Sequence, residues 1–319
     1  MPDASAAPVS IAAVDCGSNS TRLLIAGVRG GVVEAVERRT TITRLGAGVD
    51  ATGSLDDAAV DRVTAVLADY AARWRDAGVT RVAVSSTSAV RDAGNAVRFA
   101  DAVRRVTGAT PVVLSGRQEA ALTFQGATAG DTGRRVVCDI GGGSSELIAG
   151  DANAERWSSL QLGSVRLRER HLHHDPPTPA EYAALIADID ATLDAQSNDF
   201  RARGSRPLLA VAGTALTTAA VARGSKDPDV DTVDGVVLGI DELAQVIEEL
   251  AWLPAQARLE HPPIVAGRED IIVAGALLLF GLAERFGFAA VEVRVADLLD
   301  GIALRVAADD WPPSSSGSA

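Results

Sequence analysis

Lysine is all but missing from this chain: Lys226 is the one lysine among 30 lysine and arginine residues. The choice of arginine as the basic residue carries no functional inference. Basic charge as a whole is also short, since 42 acidic residues leave a net charge of −12. That deficit argues against a broad nucleic-acid surface, which needs a basic excess, but leaves room for a polyanionic substrate gripped locally. Cysteine is scarce, with Cys16 and Cys138 alone. Two thiols cannot build a structural zinc site by themselves. Both fall on or beside apolar runs that read as strands, so they are expected in the core; a catalytic thiol would need a neighbouring base, and none is apparent. Long apolar runs are absent too. The longest, Ile271 to Leu282, is shorter than the ~20 residues a bilayer span needs and reads as a buried helix. The first residues, Met-Pro-Asp-Ala-Ser-Ala-Ala-Pro, have neither a basic nor an apolar segment, so no signal peptide is read and the expected location is cytoplasmic. With 47% apolar and 23% charged residues over 319 positions, two globular domains are expected, each with its own core.

What the chain has twice is a glycine-bearing loop. Asp15-Cys16-Gly17-Ser18-Asn19-Ser20 and Asp139-Ile140-Gly141-Gly142-Gly143-Ser144 each follow one apolar run and precede another. Glycine lets backbone N–H groups approach an anion without a Cβ in the way, and consecutive N–H groups in a tight turn form an anion-binding concavity. Either loop alone reads equally well as a hairpin turn. The matched pair, each headed by an aspartate, reads as two phosphate loops able to grip phosphate from both sides. Gly17, Ser18, Asn19 and Ser20, with Gly141, Gly142, Gly143 and Ser144, are therefore candidate phosphate-binding residues.

The elements around each loop recur in the same order. Strands are expected at Val9–Val14, Arg22–Val28 and Val32–Thr43, then a helix with Val60, Val63, Leu67, Tyr70 and Trp74 on one face, a strand Arg81–Ser85, a helix Asn95–Val106 and a strand Pro111–Leu114. The second half repeats this with strands Arg134–Cys138, Glu146–Ala149 and Glu155–Gln161 and a helix opened by Thr178-Pro179. A strand Pro207–Ala212, helices Asp241–Ala251 and Arg268–Phe286, and a strand Val291–Val295 complete it. The division expected is residues 1–122 and 123–311, the last helix packing back on the first half, with a disordered Ser-Gly tail at 312–319.

Several side chains stand where chemistry can use them. Glu119 follows the strand Pro111–Leu114 and a turn at Gly116, the carboxyl end of a strand, where open α/β sheets place ligands. There a carboxylate can accept a proton from water, or serve only as a first-turn helix acid favoured by the dipole. Asp139 and Glu146 flank the second loop, and carboxylates that bracket a phosphate repel it unless a cation lies between them. The inference is Mg²⁺, with Mn²⁺ as a substitute, held by Asp139, Glu146 and Asp15. Arg91 presents a planar fork suited to bidentate phosphate contact, the alternative being a structural pair with Asp92 or Asp101. His171, His173 and His174 precede Asp175-Pro176-Pro177 and read as a solvated loop. Arginines cluster at 38, 39 and 44, at 166, 168 and 170, and at 201, 203 and 206, as phosphate-tracking patches or as solvated helix faces.

Taken together, D-C-G-S-N-S-T-R at Asp15–Arg22, T-S-A-V-R-D-A-G-N at Thr87–Asn95, S-G-R-Q-E-A at Ser115–Ala120 and D-I-G-G-G-S-S-E at Asp139–Glu146 resemble the exopolyphosphatase and guanosine pentaphosphate phosphatase family. Weaker matches are R-L-G-A-G-V from Arg44, A-G-T-A at Ala212–Ala215 and Arg268–Gly275. The family lies within the superfamily of actin, sugar kinases and heat-shock chaperone ATPases. The resemblance implies an α/β fold of two duplicated ribonuclease H-like, actin-like ATPase domains with an interdomain active-site cleft. It implies Glu119 as general base and Glu146 as the residue that orients water; Arg91, from the planar fork it presents, is expected to be the catalytic arginine beside them. Gly213 and Thr214 take the place where nucleotide-binding relatives approach the base and ribose, and are read here as holding another phosphate. Arg166, Arg168 and Arg170 are candidates for the polyphosphate tail. The expected activity is hydrolysis of the terminal phosphate of inorganic polyphosphate, of short chains, by a homodimer. The alternatives are a guanosine pentaphosphate (pppGpp) 5′-phosphatase and an ATP-binding kinase or chaperone-like module; pppGpp or nucleotides would then be ligands, and neither nucleic acid nor membrane is an expected partner. Three departures from the family pattern stand out: Gln118 where many members carry a second glutamate, Leu298-Leu299-Asp300-Gly301 where many have Leu-Arg-Glu-Gly, and an end near residue 319 without the further helical domains of long members. The last puts processive grip in doubt and suits a short actinobacterial-type enzyme.

Overall fold

The computed structural model describes residues 7–86, 88–227 and 230–313. Thr87 of the second motif and residues 314–319 of the expected tail lie outside them. The chain divides into two compact units, Met1–Gly130 with Asp297–Ala319, and Asp131–Ala296.

In the first unit β1 (Val9–Cys16), β2 (Ser20–Arg29) and β3 (Val32–Ile42) form an antiparallel meander. Helices α1 (Val49–Thr52) and α2 (Asp57–Asp76), strand β4 (Arg81–Ser86), helices α3 (Ser88–Arg91) and α4 (Ala96–Thr107), strand β5 (Val112–Val113) and helix α5 (Gly116–Ala127) follow. The sheet order is β3-β2-β1-β4-β5, with β4 parallel to β1 and β5 parallel to β4. The apolar stripe read on α2 packs Val63, Leu67, Tyr70 and Trp74 with Phe99 of α4 against Val14 and Leu23 on one sheet face.

The second unit holds β6 (Arg135–Ile140), β7 (Ser145–Gly150), β8 (Ala154–Leu160), α6 (Ser164–His171), α7 (Pro179–Asp194), β9 (Leu208–Val211), α8 (Ala212–Ala222), β10 (Val237–Gly239), α9 (Ile240–Ala251), α10 (Ala255–Arg258), α11 (Ile272–Phe286) and β11 (Ala290–Arg294). Its sheet runs β10-β11-β9-β6-β7-β8. Read from β8, the order β8-β7-β6-β9-β11 repeats β3-β2-β1-β4-β5, with the same antiparallel and parallel neighbours. This is the duplicated α/β arrangement expected from the sequence, with β10 added at one edge.

The last helix, α12 (Leu298–Ala307), belongs to the first unit, where Leu298, Leu299, Ile302 and Ala303 pack with Ile11, Ala13, Leu24 and Leu122 on the other sheet face. The division falls at Gly130 and not at residue 122 because α5 runs unbroken through that point and is locked to α12. A Cβ on Gly126 would stand 1.9 Å from the Asp297 carbonyl oxygen, and one on Gly301 2.0 Å from that of Leu122. Two helices meet there backbone to backbone, which only glycine permits. Other boundaries moved for local reasons. Gly116 opens α5 instead of making a turn, since the Ser115 side chain caps it. Ala212, expected at a strand end, takes φ 67° and starts α8.

Candidate active site

The two loops close the same turn. The Gly17 N–H donates to the Ser20 carbonyl at 3.0 Å, and the Gly141 N–H to the Ser144 carbonyl at 3.0 Å. A Cβ would stand 3.1 Å from the Ser20 oxygen in the first, a crowded contact, and 2.9 Å from the Ser144 oxygen in the second, where the turn would have to shift to admit it. Each is held from behind. The Asn19 carbonyl accepts the N–H groups of Thr43 (2.9 Å) and Arg44 (2.8 Å), and the Ser18 carbonyl that of Gly46 (2.7 Å). In the second loop Gly141 and Gly142 carbonyls accept from the first turn of α6, Ser164 at 2.9 Å and Val165 at 3.0 Å, and Arg166 Nε donates to the Gly143 carbonyl at 2.7 Å. With these carbonyls engaged and the N–H groups of Gly142 and Gly143 lacking an acceptor among the described residues, the second loop offers donors to an anion.

Arg91 and Glu119 come together inside the first unit. Ser115 and Gln118 form a reciprocal capping box that fixes the start of α5, the Ser115 N–H donating to Gln118 Oε1 at 2.9 Å. Glu119 is the next residue, buried in the first turn. Arg91, at the end of α3, donates from Nη1 to the Leu114 carbonyl at 3.0 Å, and the same nitrogen lies 3.8 Å from Glu119 Oε2. Its contact to Asp92 is also 3.8 Å, while Asp101 pairs with Arg104 instead. Gln118 is thus a capping residue whose Nε2 also donates to the Pro313 carbonyl at 3.0 Å.

The carboxylates divide between two settings. Asp139 and Glu146 are directly opposed across the β6–β7 ladder, and Glu146 Oε1 accepts from Ser144 Oγ (3.0 Å) and Ser159 Oγ (2.9 Å). Among the described residues no three histidine, cysteine, aspartate or glutamate side chains gather at metal-binding spacing. A two-carboxylate pair nevertheless suits Mg²⁺, which is commonly held by one or two carboxylates and completes its shell with water and substrate phosphate. Asp15 is engaged differently: it accepts from Ser85 Oγ at 3.0 Å and pairs with Arg22 at 3.3 Å, and Arg22 also pairs with Asp297. Burial pushes the Asp15 carboxyl above its ordinary range, with Arg22 opposing.

Gly213 and Thr214 open α8, and the residue that explains Gly213 is Arg268, not singled out from the sequence as a site residue. Arg268 Nη1 donates to the Gly213 carbonyl (2.8 Å) and to Thr217 Oγ1 (2.7 Å), and a Cβ on Gly213 would sit 2.3 Å from its Nη2. A Cβ on Gly275 would lie 2.7 Å from Thr214 and 3.2 Å from Ser164, so the starts of α6, α8 and α11 converge here. The arginines of α6 go to separate partners: Arg166 to the second loop, Arg168 to Asp270 at 3.8 Å, and Arg170 to Asp188 at 2.6 Å. His171 shares Asp188, and His174 pairs with Glu181. Both cysteines are buried, and burial pushes their thiols far up, so neither supplies a thiolate.

Residues 24–307 match the Ppx/GppA phosphatase family. The chain belongs to that family. Among Ppx/GppA relatives, exopolyphosphatase 2 of Mycobacterium tuberculosis is 36% identical over 314 residues, covering 93% of this chain and 98% of the relative. A guanosine-5′-triphosphate,3′-diphosphate pyrophosphatase of Pseudoalteromonas atlantica is 32% identical over 296 residues, covering 86% of this chain but 58% of that protein. The crystal structure of the Aquifex aeolicus member of the Ppx/GppA family superposes with a TM-score of 0.78 at 26% identity, covering 95% of this chain and 99% of that one. The two-domain, actin-like architecture of the Ppx/GppA proteins is the one described above.

Proposed function

We propose that this chain is an exopolyphosphatase, a metal-dependent hydrolase that removes terminal phosphate from inorganic polyphosphate, short chains among them, and releases orthophosphate. The observation that carries the reading is the Arg91–Glu119 pair at the start of α5: a buried carboxylate beside a guanidinium is what water attack on a phosphoanhydride needs. Glu119 takes the proton of the attacking water on its carboxylate. Arg91, fixed by the Leu114 carbonyl, offers its remaining N–H groups to the phosphoryl oxygens as charge develops there. Gly142 and Gly143 N–H groups, with Ser18, Asn19 and Ser144, bind phosphate oxygens, and Arg268 holds the start of α8, with Gly213 and Thr214, as a further phosphate contact. Asp139 and Glu146, with Asp15 as a third candidate, would hold Mg²⁺. When bound, the cation neutralises phosphoryl charge.

Similarity over nearly all of exopolyphosphatase 2 favours polyphosphate, while the Pseudoalteromonas relative keeps pppGpp as the second reading. A cytoplasmic homodimer belongs to the same reading. Among the described residues no helix is long and apolar enough to cross a membrane. The test is phosphate release from polyphosphates of graded length, beside pppGpp and ATP, with and without Mg²⁺. Release from polyphosphate at a higher kcat/KM than from pppGpp is the expected result; faster turnover of pppGpp would hand the function to the second reading, and ATP binding without hydrolysis of either to a kinase-like module.

A further inference from the structure

The cluster Arg201, Arg203 and Arg206 has no part in the site above. All three are exposed, and none forms an ion pair among the described residues. Other arginines of the second unit behave differently: Arg134 pairs with Glu155 (3.4 Å), Arg156 with Asp199 (3.7 Å) and Arg135 with Glu292 (2.7 Å). The three lie between the one-turn helix Asn198–Phe200 and β9. Because β6 and β9 are parallel, that loop and the start of β6 share one edge of the unit. The contacts agree. The Arg206 guanidinium lies 3.5 Å from where a Cβ on Gly133 would stand, Arg134 Nη2 donates to the Asp199 carbonyl at 2.7 Å, and Arg201 Nε donates to Asn198 Oδ1 at 3.1 Å. Arg156, paired in register with Ala149, comes to the same edge. The three arginines of the loop, without ion pairs among the described residues, therefore stand at that edge beside Arg134 and Arg156, whose charges are answered by Glu155 and Asp199, and the phosphate loop Gly141–Ser144 stands at the opposite end of β6, about 20 Å away for a six-residue strand.

We propose that this edge is a second polyanion site, which takes the distal stretch of the same inorganic polyphosphate chain whose end is held at the phosphate loops; the assignment of the ligand rests on the exopolyphosphatase reading. Guanidinium forks bind phosphate oxygens bidentately. The protein as a whole carries −12 and repels a polyanion, but screening over about 8–10 Å leaves a local patch free to attract one. Residues Arg201 to Pro207 contain no aromatic side chain and Phe200 is buried, and the exposed Trp157 next to Arg156 on β8 alternates to the other face of that strand, so the loop itself offers no platform for stacking bases, which favours polyphosphate over single-stranded nucleic acid. Short chains end before the patch. Chains long enough to span β6 meet both sites, and the second contact is then intramolecular.

The test compares the whole protein with its R201E/R203E/R206E variant, and with R201Q/R203Q/R206Q as a milder change, circular dichroism checking that each folds. Binding of end-labelled long-chain polyphosphate and of tripolyphosphate is measured at two salt concentrations in a Glu119→Gln background, where hydrolysis does not intrude. Expected is a loss of about tenfold or more in long-chain affinity, with a flatter salt dependence, and unchanged tripolyphosphate binding. Equal long-chain affinity in parent and variants would overturn the site. An equal loss for tripolyphosphate would mean that the patch acts through the fold or the overall charge, and would overturn it too. Single-stranded RNA that displaces long-chain polyphosphate from the parent at lower concentration than polyphosphate itself would overturn the choice of ligand. A parent that binds long chains through the patch yet hydrolyses none would leave this site standing and remove the function proposed above.

Discussion

Glu119 and Gln118 are neighbours with different work. Gln118 closes the cap of α5 and Glu119 meets Arg91, so the family's second glutamate is replaced here by a residue that fixes the helix start. Glu119→Gln should keep the fold and the KM while slowing hydrolysis by about 10²-fold or more, as loss of a positioned base does. Steady-state kinetics on tripolyphosphate decide it: a kcat within a few-fold of the parent removes Glu119 from that role. Gly213→Ala sets a methyl against the Arg268 guanidinium, 2.3 Å from Nη2, and should raise KM more than it lowers kcat, since it moves a phosphate contact and leaves Glu119 in place. A fall in kcat alone would show that Gly213 serves the chemical step. The positions of Glu119, Arg91 and the opposed pair Asp139 and Glu146 in the fold were legible because each sits in or next to a recognisable loop or strand end. Arg268 and the Arg22–Asp297 pair were not, because their partners lie 55 and 275 positions away. Only the fold brings them together; the local traces were the motif matches that contain Arg22 and Arg268 and the glycine that Arg268 requires at 213.

At the scale of elements, amphipathic α2 and the alternating strands were read with small boundary errors, whereas α6 and α8 were missed. Ser-Val-Arg-Leu-Arg-Glu-Arg-His offers too few apolar residues for a helical stripe, and Ala-Gly-Thr-Ala-Leu-Thr-Thr-Ala-Ala-Val-Ala is nearly apolar all round, so neither shows the 3.6-residue alternation. The α5–α12 contact is where one added carbon costs most. Gly301→Ala should lower stability by about 2 kcal/mol or more, since the methyl would meet the Leu122 carbonyl and two helices must part. Gly108→Ala, which only forces φ 76° at the end of α4 with open space around it, should cost about 1 kcal/mol. Urea unfolding of the two variants should rank them in that order, and the reverse would mean that α5 and α12 yield easily. The cap of α7 gives a pH signature. The Thr178 N–H, then the His174 ring, pull Glu181 down from 4.5 to about 2. A carboxyl depressed on folding stabilises above its unfolded value and loses that contribution as pH falls from 4.5 towards 2. The difference in Tm between the parent and Glu181→Gln should therefore be full at neutral pH and shrink over that window; a difference independent of pH would place the effect in packing.

For the whole molecule the legible fact was repetition: two loops, each headed by aspartate, and two sheets of one strand order. Charge sets the harder problem at this scale. A protein with a net charge of −12 must bind a polyanion, and the carboxylates at its second loop, Asp139 and Glu146, stand opposite one another beside the donors Gly142 and Gly143. Backbone N–H groups are partial charges and cannot offset two carboxylates, and Arg166, a basic side chain at that loop, also serves the Gly143 carbonyl. Asp139 and Glu146 are the residues that would hold a divalent cation, and its charge would reverse the sign of that encounter. Turnover should therefore vanish after exhaustive chelation and return with Mg²⁺ or with Mn²⁺, which shares its oxygen ligands and octahedral preference. Asp139→Asn should weaken activation, so that more metal is needed for half-maximal rate, without moving the melting temperature in metal-free buffer by as much as the buried-contact variants do. Titration of rate against metal in the parent and the variant, with metal content verified beforehand, settles the matter: full activity in excess chelator, or an unchanged activation curve for Asp139→Asn, would require another source of positive charge at the second loop.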